Sequence, residues 1–541
     1  MPLPRPLAIL TPHSKHISSS LLTPRFLGES SFHRRFSTSR IIMALPLFKE
    51  LVAPNGQKIN QPLGLFINNE FVKSKSGDTL TTLNPTDESE ITAVYAANSA
   101  DVDDAVAAAR AAFHSPSWSE INPSERGQLL YNLADLVEKN THLLATLDTW
   151  DMGKPLSVAK EEDLSESVAV LKYYAGFSDK IHGRTIDVGP RKLIYTLHQP
   201  IGVCGQIIPW NYPLVMATWK LGPALATGNT VVLKSAEQTP LSVLYLGKLI
   251  KEAGFPPGVV NILSGYGKTA GAAIAAHEGI DKVAFTGSTA TAKSIMKAAS
   301  VNLKNITLET GGKSPLIVFD DADLEQAVKW GHSGIMSNMG QVCTATSRIL
   351  VQDTIYDKFI QEIKAQTEKV SVLGDPFSEA TFQGPQVTRQ HYERVLSYIE
   401  AGKAEGATLV CGGTKHGDKG HFITPTIFSD VKDHYKINQE EVFGPFLAIG
   451  KFSTEDEAIK SANCTSYGLG ASVFTNDITK AHRVAAKIEA GMVWINSSQD
   501  SHYAAPFGGV KQSGIGSELG EYALTAYTIA KAVHVNLGTH L

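Results

Sequence analysis

The stretch IGVCGQIIPWNYP, residues 201–213, decides the fold class of this chain. Its short apolar run, Val203–Ile208, is followed at once by a proline, a tryptophan and Asn211. Such a run is typical of a buried strand, and open α/β sheets bind ligands just beyond the carboxyl ends of their strands. Asn211 is therefore either a site residue whose amide can donate to a ligand or an ordinary turn asparagine.

Further apolar runs follow at regular intervals, each bounded by glycine or proline and separated by helical patterns. One of these patterns, LSVLYLGKLIKEAG, ends at Gly254, which suits a helix C-cap. Strands that alternate with helices predict right-handed βαβ units and a parallel sheet covered on both faces. The further predicted strands are Thr230–Leu233, Val259–Leu263 and Lys282–Phe285.

A second alternation begins at SPLIVF, Ser314–Phe319, and predicts a second α/β lobe joined to the first near Glu309–Ser314. At the end of the chain, KAVHVNL alternates with period two, as a strand with one buried face does. Such a strand needs a partner in this chain or in another subunit. The other elements predicted outside the first alternation are a strand in SRILV, Ser347–Val351, and helices at Val102–Phe113, about Ser124–Asn140, about Leu324–Gly334, Ile355–Val370 and His391–Glu405.

Size and composition set limits on function. The chain has 541 residues, 43% of them hydrophobic and 19% charged, and its net charge is −4. It is too long for one core, and it lacks the positive charge of a general nucleic-acid binder. No uninterrupted apolar run is long enough to predict a membrane span. The cysteines Cys204, Cys343, Cys411 and Cys464 lie far apart, which predicts neither a disulfide framework nor a metal site and suits a reducing compartment.

Residues 1–42 differ from the rest of the chain. They are rich in serine, threonine and arginine and contain a single acidic residue, Glu29. This composition predicts a mitochondrial transit peptide, so we expect the protein in the mitochondrial matrix. The alternatives are a disordered extension, or a true start at Met43 and a cytoplasmic protein.

Polar residues follow the other strands of the first lobe. Lys234 and Glu237 come after TVVL and can contact a phosphate or a ribose, or form a solvated loop pair. The segment GSTATA, Gly287–Ala292, opens a helix whose free N–H groups can hold phosphate. Glu309 precedes two glycines in ITLETGGKSP and is either a general base or a capping or ion-pairing carboxylate.

One cysteine lies in a context of its own, SNMGQVCTATSR, Ser337–Arg348. Cys343 is surrounded there by small and hydroxylated residues, whereas structural thiols usually lie in apolar runs. It is either a nucleophile or a small core residue.

Taken in order, these segments resemble the aldehyde dehydrogenase superfamily, close to its NAD-dependent branch. The resemblance runs from about Leu65 to Leu537, and its motifs appear in the family's order. They are PWNYP, LKSAEQTP, FTGST, LETGGKSP, GQVC, EEVFGP, GMVWIN and PFGGVKQSGIG.

The resemblance implies two doubly wound parallel-sheet lobes, one Rossmann-like for the cofactor and one catalytic, plus a small β element for oligomerisation. It also implies a homotetramer or homodimer. The implied ranges are 50–180 and 201–311 for the NAD-binding domain, 312–520 for the catalytic domain, and 182–200 with 528–537 for the oligomerisation strands.

The resemblance also implies residue roles. Cys343 matches the nucleophile, Glu309 the general base and Asn211 the oxyanion donor, while Lys220 and Glu518 match positions implicated in proton relay. Residues that match cofactor contacts are Trp210, Lys234, Glu237, Gly267, Gly287, Ser288, Glu441 and Phe443. Residues that match pocket-lining positions of a hydrophobic tunnel, with plain core as the alternative, are Tyr212, Met216, Trp219 and Phe507.

The implied activity is oxidation of an aldehyde to the acid through a thioester on Cys343, with no metal in the chemistry. NAD is expected rather than NADP because Glu237 would repel a 2′-phosphate. The expected partner is a small-molecule aldehyde, with neither nucleic acid nor membrane. An acylating enzyme that passes the thioester to coenzyme A, or a catalytically silent protein on the same fold, is the alternative. The presence of Glu309 counts against the first of these.

Overall fold

The computed structural model describes residues 45–541. The predicted transit peptide, residues 1–42, lies outside the described residues. Within residues 45–541, none of the helices combines the length and the apolar character that a bilayer crossing requires.

The first lobe is built on an eight-stranded sheet. Its five central strands run parallel, as the alternation of apolar runs and helices predicted. The two edges of this sheet are antiparallel, with Gly514–Ile515 at one edge and Leu65–Ile67 and Glu70–Val72 at the other. There a tight turn through Asn68 and Asn69, both with positive φ, forms an antiparallel hairpin. In spatial order the strands are Gly514–Ile515, Asn305–Glu309, Lys282–Thr286, Val203–Ile207, Thr230–Lys234, Val260–Leu263, Leu65–Ile67 and Glu70–Val72.

Helices pack on this sheet. The two helices predicted upstream of it are confirmed as Ser99–His114 and Pro123–Lys139. The side chain of Asn98 caps the first by accepting from the N–H groups of Ala100 and Asp101. The other long helices of this part are Thr141–Met152, Leu164–Phe177, Pro213–Ala226, Leu241–Ala253 and Thr289–Ala299.

The second lobe is built on a seven-stranded sheet, parallel except for one antiparallel edge strand, Thr408–Cys411. Its remaining strands, in spatial order, are Thr426–Ser429, Phe446–Phe452, Arg348–Gln352, Pro315–Val318, Gly470–Phe474 and Met492–Ile495. Its longer helices are Leu324–Met336, Tyr356–Val370, Arg389–Ala404, Glu455–Ala462 and Ile478–Ala485.

The strand predicted at the end of the chain is confirmed as Thr528–Asn536. It pairs antiparallel with Lys192–Pro200, which in turn pairs with Thr185–Asp187. The terminal strand therefore has its partner within this chain. The small sheet exposes apolar side chains, which are Ile186, Leu193, Leu197 and Ile529.

Short elements complete residues 45–541. The hairpins are Phe48–Val52 with Lys58–Pro62 and Thr79–Leu83 with Glu90–Tyr95. Two π-helical turns, Ala159–Asp163 and Gly267–Gly271, each lead directly into an α-helix. The short helices and 3₁₀ turns are Pro116–Ser119, Leu156–Val158, Ala272–Ala276, Ser300–Asn302, Ser337–Gly340, Asp353–Ile355, Lys436–Gln439, Lys511–Ser513 and Gly520–Ala526.

Candidate active site

The loop that carries Cys343 begins with three consecutive residues of positive φ, namely Asn338, Met339 and Gly340. A Cβ atom added to Gly340 would lie 2.0 Å from the carbonyl oxygen of Gly444. Only glycine fits both this conformation and this close approach. Gly340 thus packs the loop against the chain near Gly444 and fixes where Cys343 lies.

Cys343 is a free cysteine whose residue is partly exposed on a cavity. The pKa of its thiol is raised to about 12, chiefly by burial and in addition by the nearby carboxylates of Glu441 and Glu309. The backbone N–H groups of Cys343 and Thr344 act in the opposite direction. The thiol is therefore protonated in this structure at neutral pH.

Glu309 is the last residue of the strand Asn305–Glu309 and is only 2% exposed. Neither of its carboxylate oxygens has a hydrogen-bond partner within residues 45–541. Burial raises the pKa of this carboxyl well above its ordinary value; the charge of Glu518 raises it further, and that of Lys220 lowers it. An unpaired buried carboxyl of raised pKa is poised to take or give a proton.

Lys220 and Glu518 form a buried ion pair next to Glu309. The ammonium of Lys220 also donates to Thr286 Oγ1 at 2.6 Å. Glu518 lines the cavity that contains Cys343, whereas Lys220 is fully buried and does not line it. The two side chains expected to act together are in contact.

Asn211 follows the strand Val203–Ile207, as predicted, and its side chain is tied to the Cys343 loop. Its Nδ2 donates to the carbonyl oxygen of Gln341 at 2.9 Å, two residues before the cysteine. Asn338 Nδ2 donates in turn to the backbone carbonyl oxygen of Asn211 at 3.1 Å. A primary amide has two N–H groups, so one remains for a further acceptor.

At another part of the cavity, Trp210 and Phe443 lie with ring centroids 5.4 Å apart. Phe443 has a positive φ, and its carbonyl oxygen lies 2.7 Å from His391 Nε2. Glu441 Oε1 accepts from the N–H of Gly312 at 3.2 Å, and burial raises the pKa of this carboxyl to about 7.

The remaining predicted cofactor residues lie at the carboxyl ends of the first sheet's strands. Lys234 Nζ donates to the carbonyl oxygen of Ser235 at 2.7 Å and lies 3.4 Å from Glu237 Oε2. Ser288 caps the helix Thr289–Ala299. Gly287 and Ser288 line the cavity of Cys343, whereas Lys234, Glu237 and Gly267 do not.

This donor set fits a dinucleotide. The capped helix start next to Gly287 offers N–H groups to a pyrophosphate, and the ammonium and carboxylate of Lys234 and Glu237 suit ribose hydroxyls. Trp210 and Phe443, which line the cavity of Cys343, offer aromatic surface to the rest of such a cofactor.

The cavity has a volume of about 620 Å³ and brings most of the predicted site residues together. The expected tunnel residues Tyr212, Met216, Trp219 and Phe507 line it, and the rings of Trp219 and Phe507 lie 4.9 Å apart. Carboxylates line the cavity in addition to these expected residues. They come from the π-helical turn and the helix that follows it, and they are Glu162, Asp163 and Glu166.

Sequence reasoning also missed Gln499. Its Nε2 donates to the carbonyl oxygen of Gly334 at 2.5 Å, and its Oε1 accepts from Thr344 Oγ1 at 3.1 Å. Gln499 thereby holds the residue that follows Cys343. The run KEED at 160–163 could have pointed to the carboxylates, but nothing near Gln499 pointed to its contact with a loop 155 residues away.

The structure has no group of three or more His, Cys, Asp or Glu side chains placed to hold a metal ion within residues 45–541.

The chain has two α/β lobes and a cavity that contains a cysteine, an amide donor and a buried carboxyl. Beside the cavity lies a set of donors that fits a dinucleotide. These features define a nicotinamide-dependent oxidoreductase. Comparison with known proteins narrows the class: the aldehyde dehydrogenase family model matches residues 71–533, and the chain belongs to that family.

Curated relatives and solved structures agree with this assignment. An aldehyde dehydrogenase of Emericella nidulans is 57% identical over 485 residues, covering 90% of this chain and 97% of its own. One of Aspergillus niger is 54% identical over 496 residues, covering 92% and 99%. The NAD⁺ complex of a Bacillus cereus aldehyde dehydrogenase superposes with a TM-score of 0.87 at 50% identity, covering 88% of this chain and 97% of that one.

Proposed function

We propose that this enzyme oxidises an aldehyde to the carboxylic acid with NAD, through a thioester on Cys343 that is then hydrolysed. The observation that carries the proposal is the convergence of Cys343, the Asn211 amide and the unpaired Glu309 carboxyl on one cavity. These three groups are what nucleophilic attack, oxyanion stabilisation and hydrolysis require.

In the first step, the sulfur of Cys343 attacks the aldehyde carbon and the carbonyl oxygen becomes an oxyanion. The free N–H of Asn211 and the backbone N–H of Cys343 donate to it. One preorganised donor of this kind is worth about 3–4 kcal/mol. Because the sulfhydryl is protonated at rest, its proton passes to a water molecule as the carbon–sulfur bond forms, and the sulfur regains a proton when the thioester is hydrolysed.

NAD, when bound, accepts hydride from the substrate carbon. The residues that would hold it are those at the strand ends and around Trp210. Lys234 and Glu237 suit the adenosine ribose, and Glu441 and Phe443 the nicotinamide riboside. The remaining cradle consists of Trp210, Gly267, Gly287 and Ser288.

In the second step, Glu309 takes a proton from a water molecule that attacks the thioester. Its raised pKa makes it a stronger base than an exposed carboxylate once it is ionised. The Lys220–Glu518 pair beside it offers a route for the proton away from the site. The acid then leaves and the sulfhydryl is restored.

NAD is proposed rather than NADP because of Glu237. Its carboxylate lies at the end of the strand Thr230–Lys234, beside the Lys234 ammonium. A ribose with free hydroxyls can donate to it, whereas a ribose phosphate would meet a like charge.

Hydrolysis is proposed rather than transfer to coenzyme A because Glu309 is present and lines the cavity together with Cys343. The two outcomes differ in product. Oxidation in the presence of coenzyme A should give free acid, and formation of an acyl-CoA would contradict the proposal.

Two substitutions test the mechanism. Cys343→Ala should abolish NADH formation while NAD binding, followed by calorimetry, stays unchanged. Glu309→Gln should give a burst of about one NADH per site and then slow turnover, because the thioester forms and is not hydrolysed. Turnover near the wild-type rate in the first variant, or loss of the burst in the second, would contradict the assigned roles.

We further propose a homotetramer or homodimer, supported by the apolar side chains that the small sheet exposes at Ile186, Leu193, Leu197 and Ile529. Light scattering of Leu197→Glu against wild type should show a smaller assembly, and an unchanged mass would contradict the role of this sheet.

A mitochondrial location, with residues 1–42 removed, rests on their composition. Mass spectrometry of the mature N-terminus in a mitochondrial fraction tests it, and an intact Met1 or a start at Met43 in cytosol would contradict it.

A further inference from the structure

Part of the cavity wall carries carboxylates that the proposed chemistry does not use. Glu162 lies in the π-helical turn Ala159–Asp163, and Glu166 in the first turn of the helix Leu164–Phe177. Both line the cavity that holds Cys343. π-helical turns occur frequently at functional sites.

Their neighbour Asp163 already has a partner of opposite charge. It forms a fully buried ion pair with Lys154, whose ammonium lies 3.5 Å from the centroid of the Tyr212 ring. Lys154 is therefore committed to Asp163 and Tyr212. Among residues 45–541, neither Glu162 nor Glu166 has a lysine or arginine within ion-pair distance.

Glu166 is held within the aromatic part of the wall. Its Oε1 accepts from the indole N–H of Trp219 at 3.0 Å, and the Trp219 ring packs edge-on against Phe507. Burial, with the charge of Asp163 added, raises the pKa of this carboxyl to about 7. A cation brought close to it would favour its ionised form.

The cavity as a whole is short of positive charge. Glu309 lines it with two unpartnered oxygens at 2% exposure. Within the described part of the chain, Arg394 is the lining side chain with a permanent positive charge, and it donates to the carbonyl oxygen of Glu441 at 2.9 Å. This contact lies at the proposed cofactor end of the cavity. Arg394 and Glu441 are distant in sequence from Glu166 and Trp219, and none of the contacts described for Glu166 and Trp219 involves them.

We propose that Glu166 and Glu162, together with Trp219 and Phe507, select aldehydes that carry an ammonium group, with Glu166 as the specificity-determining residue. An ammonium ion pairs with a carboxylate and is attracted to the faces of aromatic rings. A neutral aldehyde gains neither interaction. The inference rests on the proposed aldehyde oxidation and names its substrate class.

The test uses two aldehydes of matched size, β-aminopropanal and butanal, in which an ammonium replaces a terminal methyl group. The holoenzyme with NAD should show a kcat/KM roughly tenfold higher for the amine, chiefly through KM, since a partly buried charge pair is worth about one power of ten. Glu166→Gln keeps an oxygen that accepts from Trp219 but removes the charge. It should lower this ratio roughly tenfold, through a higher KM for the amine.

The matched control is Glu161→Gln. Glu161 is exposed, precedes Glu162 in the same turn and does not line the cavity. Its substitution should leave the ratio at the wild-type value. An equal fall of the ratio in both variants would mean that the general negative charge of this segment, and not Glu166 itself, sets the preference. That result would overturn the assignment to Glu166.

A second measurement needs no variant. Butylammonium should inhibit butanal oxidation by the wild type at lower concentration than butanol does. Equal inhibition, with no preference for the amine, would overturn the inference while butanal oxidation still supports the proposed function. If neither aldehyde is oxidised with NAD, the proposed function fails and the substrate class with it.

Discussion

The two members of the buried pair Lys220–Glu518 shift the pKa of Glu309 in opposite directions. The direction in which each variant changes this pKa can therefore be predicted. The charge of Glu518 raises the pKa of Glu309, and that of Lys220 lowers it. Glu518→Gln should therefore lower this pKa and Lys220→Met should raise it. Since Glu309 must be ionised to take a proton from water, the acid limb of thioester hydrolysis should move to lower pH in the first variant and to higher pH in the second.

The size of the shift follows from the interaction of buried charges. At an effective dielectric constant of about 20, two charges about 8 Å apart interact by about 2 kcal/mol, or about 1.5 pKa units. We expect shifts of about one pH unit in each direction. Lys220→Met also leaves the Glu518 carboxylate buried without its partner, which costs about 3–5 kcal/mol of stability.

The double variant Lys220→Met/Glu518→Gln separates the two effects. It removes both charges, so the opposite shifts cancel and no unpaired buried charge is left. Its acid limb should lie near that of the wild type, and its thermal midpoint should lie above that of Lys220→Met alone.

A cofactor-free assay isolates this step. An aryl acetate acylates Cys343 directly, and its steady-state hydrolysis between about pH 5 and pH 9 reports the ionisation of Glu309. Glu309→Gln supplies the reference without the limb. Shifts of the same sign in both single variants, or a shift that persists in the double variant, would refute the reasoning.

Three further predictions follow from single contacts. Gly340→Ala should lower the melting temperature and kcat together, because a Cβ there would collide with a backbone carbonyl and the residue needs a positive φ; unchanged melting would contradict this. Glu237→Gln should lower KM for NADP more than KM for NAD, and equal effects would contradict a repulsive role. Glu441→Gln should speed alkylation of Cys343 by iodoacetamide more than Glu309→Gln does, because Glu441 raises the thiol pKa more; slower alkylation would contradict the sign.

The central strands of the first lobe were predictable because each is buried along nearly its whole length and most of its residues are apolar. Val203–Ile207 and Thr230–Lys234 differ from the predicted runs by a single residue. The antiparallel edges were not predictable in the same way. Leu65–Ile67 is a three-residue strand whose place in the sheet depends on the Asn68–Asn69 turn and on pairing with Val260–Leu263, nearly two hundred residues later.

The residues of the site also divide into those that the sequence could identify and those that it could not. Cys343, Glu309 and Asn211 were proposed as site residues because their segments resemble family motifs, whereas the residues alone left each role open. The contacts of Glu166 with Trp219 and of Gln499 with Thr344 join segments 53 and 155 residues apart. No local pattern constrains such a pair, since each partner is an ordinary polar or aromatic residue in its own segment.

The polar groups around Cys343 are fixed to different degrees, and the difference matches the order of the two steps. Asn211 is held by its bond to the Gln341 carbonyl, which leaves its second N–H for the oxyanion of the proposed first step. Glu309 has no hydrogen bond to either oxygen within the described residues and can reorient towards a water molecule. Burial contributes to the raised thiol pKa of about 12, and it also lowers the local dielectric constant. A hydrogen bond from the Asn211 amide to the oxyanion of the proposed first step is therefore stronger than it would be in water. Under the proposed mechanism, such a site would react only when a carbonyl oxygen is present to receive the charge.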